Sequence, residues 1–254
     1  MVQICALASG SNGNCYYIGN EQEAVLIDIG LSNRELMKRL YEANLSINKV
    51  KAIFISHEHT DHMKGLRVVS QIHNIPGFIT KKTYEIARRD YRSGNVHLFD
   101  PGDSITIGNI KVHSFTKHHD AVDPVSFRIE IDGLHVGVLT DLGMACDDVT
   151  EQLKICDAAF LETNYDHKML MSGKYPAYLK KRVASDKGHL SNDQAFELVK
   201  SINGSPLKTI FLSHISAENN KIELALETFK PLQDKFHFEP TSRYASSKVI
   251  MLMK

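Results

Sequence analysis

The chain has 254 residues, with 30 basic against 30 acidic side chains, 43% hydrophobic and 24% charged. That ordinary composition excludes a disordered polyelectrolyte, and zero net charge argues against a generally basic nucleic-acid coat while leaving room for local basic patches. No apolar run approaches the ~18 residues of a membrane span, and residues 1–8 lack the basic start of a secretory signal, so a cytoplasmic protein with no membrane partner is expected.

The chain opens with three β-favouring runs, 2–8, 15–18 and 24–29, the first two separated by a Gly-Ser-Asn-Gly-Asn turn at 10–14. That turn could present N–H groups to a phosphate, but it reads first as a plain turn. Apolar spacing predicts a helix over 33–45, a strand over 51–56, then helices over 63–73 and 81–89. Four further strands follow, 105–107, 111–115, 125–131 and 134–139, the last two joined by Asp132-Gly133, a strong hairpin signal. Strands at 158–161 and 209–213 alternate with helices at 191–201 and 221–229, so the second half partly repeats the first. This order predicts an α+β protein, two mixed sheets packed face to face with helices outside, a four-layer αββα sandwich. No linker or low-complexity tract interrupts it, and residues 1–254 are expected to form one domain. Cys5, Cys15, Cys146 and Cys156 form no C-x-x-C pair and are expected to stay reduced.

Thirteen histidines are the unusual count. Three of them sit with two carboxylates in one stretch after the 51–56 strand, His57-Glu58-His59-Thr60-Asp61-His62. Imidazole and carboxylate are the usual ligands of zinc and similar ions. His57 and His59, two apart in an extended loop, can converge on one ion, while Asp61 and His62 past the turn can reach another. Other candidates follow predicted strands: His118 and His119, Asp141, and His214. Strand-end loops are where such groups collect at one rim of a sheet. Of the adjacent pair 118 and 119, only one can face inward from an extended segment. His73, His97, His113, His135, His167 and His237 have no assigned role.

His57-x-His59-x-Asp61-His62-x-x-Gly65, with Asp28, Asp141 and His214 in order, resembles the signature of the metallo-β-lactamase-fold metallohydrolases. The resemblance implies the αββα fold and two divalent ions, Zn or Mn, with Fe as a further option. It implies that His57, His59 and His119 hold one ion, that Asp61, His62 and His214 hold the other, and that Asp141 bridges them. Asp28 is then a loop anchor rather than a ligand. His119 is preferred to His118 because His119-Asp120-Ala121 resembles one branch of the family. No thiolate ligand is expected, since Cys146 lies past Asp141.

The opening 8–14, Leu161-Glu162-Thr163-Asn164, Gly188-His189-Leu190-Ser191 and Leu212-Ser213-His214 are similar to the WalJ (YycJ) branch, whose members are associated with exonuclease activity on DNA. That branch usually has Asn-His-Asp where this chain has Asn164-Tyr165-Asp166. The Glu162 and His189 elements also resemble those of ribonuclease Z-like phosphodiesterases. The resemblance implies a phosphodiesterase acting as a DNA exonuclease through a metal-bridging hydroxide, with Asp61, Glu162 and His189 as catalytic residues. His189 is the candidate general acid and Glu162 its orienting partner, while Ser191 reads as a helix cap. A nucleic-acid substrate, DNA before RNA, is therefore expected.

Residues 165–187 carry six basic side chains against two acidic ones, with three tyrosines among them. Lys180, Lys181 and Arg182 are the candidate substrate contacts, since cations interleaved with aromatics suit phosphates and bases. The similar run at 81–92 reads as a solvated helix face. The competing readings are a thioesterase, lactonase or glyoxalase II-like hydrolase on the same ions, or a non-catalytic metal-binding module.

Overall fold

The computed structural model describes residues 1–202 and 204–254. Its first six strands are β1 (Val2–Ala8), β2 (Cys15–Gly19), β3 (Ala24–Ile27), β4 (Val50–Phe54), β5 (Gly77–Thr80) and β6 (Val96–Phe99). The next four are β7 (Ser104–Ile107), β8 (Ile110–Thr116), β9 (Val125–Ile131) and β10 (Leu134–Leu139). The last are β11 (Ala158–Glu162), β12 (Thr209–Ser213), β13 (His237–Pro240) and β14 (Ile250–Leu252). They form two seven-stranded sheets, β14-β1-β2-β3-β4-β5-β6 and β13-β12-β11-β10-β9-β8-β7. Each sheet is antiparallel at one end and parallel from its fourth strand on, at β3–β4 and β10–β11, which is the repeat the sequence suggests.

Side-chain alternation sets the layers. Val25 and Ile27 of β3, Val136 and Val138 of β10, and Ala158 and Phe160 of β11 face the core between the sheets. Their neighbours Leu26, Leu139, Ala159 and Leu161 face the opposite way, under helices. Tyr16–Phe160 and Phe54–Phe127 join the sheets with ring centroids 4.9 and 5.7 Å apart, each contact adding roughly 0.5–1.5 kcal/mol to its area term.

Helices α1 (Asn33–Glu42), α2 (Thr60–Met63), α3 (Leu66–His73) and α4 (Lys81–Ile86) accompany the first sheet. Helices α5 (Asp147–Lys154), α6 (His167–Ser172), α7 (Ala177–Val183), α8 (Asn192–Ser201) and α9 (Ile222–Phe229) accompany the second. Leu36, Leu40, Leu66 and Val69 seal one outer core; Val149, Leu153, Ala195, Leu198 and Phe229 seal the other. Ser191 caps α8 in a full capping box with Gln194.

The expected helix over 63–73 is broken at Lys64–Gly65, and those over 33–45 and 81–89 stop three residues early. Strands β5, β6, β13 and β14 lie outside the runs that the sequence marks as strands. Each has three or four residues, too few to show alternation, and three of them close sheet edges. No helix among the described residues is long and apolar enough to cross a membrane. All four cysteines are free.

One close approach ties the loops of the first sheet together. A Cβ on Gly30 would lie 1.7 Å from the backbone oxygen of Asp61, which accepts from Asn14 N at 2.7 Å. Gly30→Ala is therefore expected to cost about 3 kcal/mol or more, since backbone must move, and to lower the melting temperature by roughly 6–12 °C. An unchanged calorimetric melt would show that the loops give way freely.

Candidate metal centre

Six strand ends converge on one rim. Asp28 follows β3, His57 follows β4, Lys117 and His119 follow β8, Asp141 follows β10, Glu162 ends β11 and His214 follows β12. Asp28, Asp141 and His214 have left-handed backbones, with φ of 61°, 55° and 56°. Such a conformation costs of order 1–3 kcal/mol for a non-glycine residue, so three at one rim mark a site whose surroundings impose them.

The histidines are held by their outward nitrogens. Buried Asp28 accepts from Ser56 N at 2.8 Å, Ser56 Oγ at 2.9 Å and His62 Nδ1 at 2.7 Å. Ser56 Oγ in turn lies 2.9 Å from His57 Nδ1. With Nδ1 so engaged, His57 and His62 present Nε2 to the interior. His119 Nδ1 lies 3.2 Å from Gly188 O, and His214 Nδ1 lies 3.0 Å from Glu162 Oε1, so these rings present Nε2 as well. Asp28 thus anchors rather than faces the site. Asp28→Ala is expected to weaken metal affinity about 10–100-fold, read by competition with a chromogenic chelator. Unaltered affinity would show that His62 needs no anchor.

Glu162 is fully enclosed. Its Oε1 accepts from His189 Nδ1 at 2.8 Å as well as from His214, while Oε2 accepts from Leu142 N at 2.6 Å and Leu190 N at 3.3 Å. Burial alone would raise this carboxyl, but His189 and His214 hold it at about 2, so it stays ionised. His189 is partly exposed, with 22% of its side chain open.

The donor atoms suit metal ions. His119 Nε2, His214 Nε2 and Asp141 Oδ2 are buried with no hydrogen-bond partner. Asp141 Oδ2 also lies 3.1 Å from His62 Nε2, and two lone pairs facing at that distance need a positive charge between them. Burial would depress His62 and His214, yet Asp141, Asp28 and Asp61 hold His62 well above its ordinary value, and Asp141, Asp61 and Glu162 lift His214 to about 10. A proton on each ring meets this demand only in part; a divalent ion shared by these atoms meets it fully. On the other flank, burial drives His57 well below its ordinary value and His119 to about 4 against the pull of Asp141, so both rings are neutral, the form in which imidazole can bind a metal.

Four groups have ligand atoms within 4.8 Å of one another: His57, His59 and His119; Asp61, His62 and His214; His57, His62 and Asp141; and Asp141, Glu162, His189 and His214. All seven expected ligands fall in these groups. The last group adds Glu162 and His189, which stand as close to Asp141 as ligands do. Of the adjacent pair, His119 is buried and His118 exposed.

A cavity of about 270 Å³ opens over this rim, lined by His59, Asp61, His119, Asp141, His189 and His214 on one side. Tyr175, Leu179, Arg182 and Val183, on and before α7, form the other wall. Arg182 Nε donates to Asp120 Oδ2 at 2.6 Å, tying α7 to the loop that carries His119. Gly188 permits this, because a Cβ there would meet Arg182 O and Val183 O at 2.3 and 2.2 Å. Of the three basic residues expected at substrate, Arg182 lines the cavity. Lys180 turns to Met171 O, and Lys181 is exposed outside it. Tyr165 is buried and paired with Ser191.

The 10–14 turn is not free to cradle phosphate through all its amides, since Gly10 N, Gly13 N and Asn14 N bond to Asn14 Oδ1, Gly10 O and Asp61 O. In the 81–92 run, Arg88 and Arg92 lie over Tyr91 and Tyr84, in keeping with a surface face. Sequence reading assigned no role to Asn14, Ser9, Lys117 or Asn164. Asn14 Nδ2 lies 3.0 Å from His62 Nε2, Ser9 Oγ accepts from His214 N at 2.7 Å, and Asn164 Nδ2 donates to His214 O at 2.8 Å. Lys117 is buried beneath the centre and donates to Thr140 O at 2.8 Å. Ser9, Lys117 and Asn164 follow strand ends, the same positional signal that singled out Asp141, while Asn14 directly precedes β2.

Residues 23–215 match the family model described as a β-lactamase superfamily domain. The chain is 35% identical over 224 residues to the exodeoxyribonuclease YycJ of Bacillus anthracis, covering 86% of this chain and 84% of that one. It is 36% identical over 224 residues to the exodeoxyribonuclease WalJ of Streptococcus pneumoniae, covering 86% and 83%. Among solved structures, the metallo-β-lactamase fold protein YhfI of Bacillus subtilis superposes with a TM-score of 0.70 at 14% identity, covering 98% of each chain.

Proposed function

The chain belongs to the metallo-β-lactamase superfamily, whose fold implies divalent metal ions, and on that premise we propose that this metal-dependent hydrolase is a dinuclear phosphodiesterase that shortens DNA from an end. The observation that carries the reading is His189, fixed by ionised Glu162 at the edge of the ligand cluster and open to the cavity.

His57, His59 and His119 would hold one ion, Asp61, His62 and His214 the other, with Asp141 between them. The ions, when bound, would acidify a water and stabilise charge on the phosphoryl oxygens. Imidazole-rich ligation suits zinc, and the mixed N/O set also accepts manganese or iron. Glu162 accepts a hydrogen bond from His189 Nδ1 and so directs the ring's Nε2 toward the cavity; as a water oxygen bonds to phosphorus and the P–O bond to the leaving group breaks, the Nε2 proton passes to the leaving oxygen. Arg182 offers a cation to a phosphate, and Tyr175 and Leu179 supply apolar wall to a sugar or base. DNA is favoured over RNA because the relatives are named exodeoxyribonucleases.

The test is turnover of end-labelled single- and double-stranded DNA and RNA, in zinc and in manganese. Stepwise shortening of DNA is the expected result. No cleavage of any strand by protein carrying about two metals per chain sinks the proposal and directs attention to thioesters and lactones.

A further inference from the structure

The metal cavity, at about 270 Å³, is at the small end of ligand sites and cannot enclose a polymer, so the rest of any strand must lie outside it. A second cavity, of about 220 Å³, adjoins it, lined by Ser9, Ile215, Ser216, Lys221, Arg243 and Tyr244 among others. The same two loops line both: Ser11 and His214 face the metal side, while their chain neighbours Ser9 and Ile215 face the second cavity. One or two residues of backbone, about 4–7 Å, separate them.

This second groove is basic and aromatic, and its loops are tied together by hydrogen bonds. Lys221 and Arg243 have no carboxylate within ion-pair distance among the described residues, whereas Lys154, Lys200 and Lys230 each pair with a glutamate one turn away. The acidic Glu218 on the same loop is exposed and does not line the groove. Arg243 spans both loops, donating to Asn12 Oδ1 and Ile215 O at 3.2 Å each. Gly10 lets it lie close, since a Cβ there would meet its side chain at 3.3 Å. From behind, buried Arg39 donates to Arg243 O at 3.0 Å and to Leu7 O at 2.7 Å, which pins the C-terminal loop to the first sheet. Tyr244 follows with 75% of its surface exposed, a large aromatic on a fixed loop with nothing packed over it.

We propose that this groove is the channel along which a single polynucleotide strand runs away from the metal cavity, with Lys221 and Arg243 facing its phosphates and Tyr244 stacking on a base. The proposal rests on the phosphodiesterase reading and gives that site its substrate class, a single-stranded polymer rather than a small ester. Unpaired cations along a groove follow a phosphate backbone, and an exposed ring serves any base because every base has a π-face.

The experiment is fluorescence anisotropy of metal-loaded protein with a fluorescein-labelled phosphorothioate oligothymidylate, titrated at several salt concentrations. Tyr244→Ala is expected to weaken binding about tenfold and Tyr244→Phe to restore it. Lys221→Ala is expected to make the slope of log affinity against log salt shallower by about 0.7, the value for one lost single-strand phosphate contact. Lys51→Ala, at the far end of β4, should change neither quantity. Lys221→Ala and Tyr244→Ala binding like wild type would overturn the channel, even in a protein that shortens strands. The expected losses in a protein that cleaves no strand would retain the channel and remove the phosphodiesterase reading instead.

Discussion

Asp141→Ala is expected to leave fewer than two metal ions per chain and to slow strand shortening by about 10³-fold or more. Asp141 Oδ1 lies 3.6 Å from His214 Nε2 and 3.8 Å from His119 Nε2, and Oδ2 lies 3.1 Å from His62 Nε2. Among the described residues, no other carboxylate stands between both groups of histidines. It is fully buried, yet His214 and His62 keep it ionised well below the usual carboxylate range against the cost of burial. Its loss takes away the charge that balances two cations and the one group within reach of both. Metal ions supply several kcal/mol of transition-state stabilisation in such hydrolases, and each 1.36 kcal/mol is a factor of ten in rate. Elemental analysis gives the metal content, and the end-labelled strand assay gives the rate. A variant with two metals and undiminished turnover would mean that the chemistry takes place elsewhere.

His189→Ala is expected to lower kcat about 10²–10⁴-fold while both ions remain bound. The ring has 22% of its side chain exposed, and its Nδ1 is committed to Glu162 at 2.8 Å. A ring held by a buried carboxylate and partly open to the cavity suits a proton donor, since it can meet both the leaving oxygen and solvent. Its nearness to Asp141, Glu162 and His214 supplies the rival outcome. A variant that has lost one ion along with its rate would make His189 a ligand and leave the leaving oxygen without this donor. Full activity would remove His189 from the mechanism altogether. An electron-poor leaving group separates the cases further: it needs less protonation, so the variant's deficit should shrink with it only if His189 donates the proton.

The features legible in the sequence are local. Six consecutive residues carry three imidazoles and two carboxylates, and a polar residue after each apolar run marks a strand end, so the candidate ligands could be named from spacing and resemblance. Apolar β-favouring runs in β8 to β12 placed those strands and, with the repeated order of elements, the layered fold. The rest was decided by packing across long sequence separations. β5, β6, β13 and β14 are too short to advertise themselves and form because a neighbouring strand offers an edge. His119 faces inward and His118 outward because the loop after β8 is braced by Gly188 O, 69 residues away. Arg182 reaches the cavity while Lys180 and Lys181 do not, because α7 turns only one face to Asp120 and the rim. The groove of Lys221, Arg243 and Tyr244 unites residues that share no spacing, brought together when β14 pairs with β1 and returns the C-terminal loop to the site. Spacing encodes what lies within one loop or strand; contacts between distant segments follow from which surfaces the sheets bury against each other, and that is set only once the whole chain has folded.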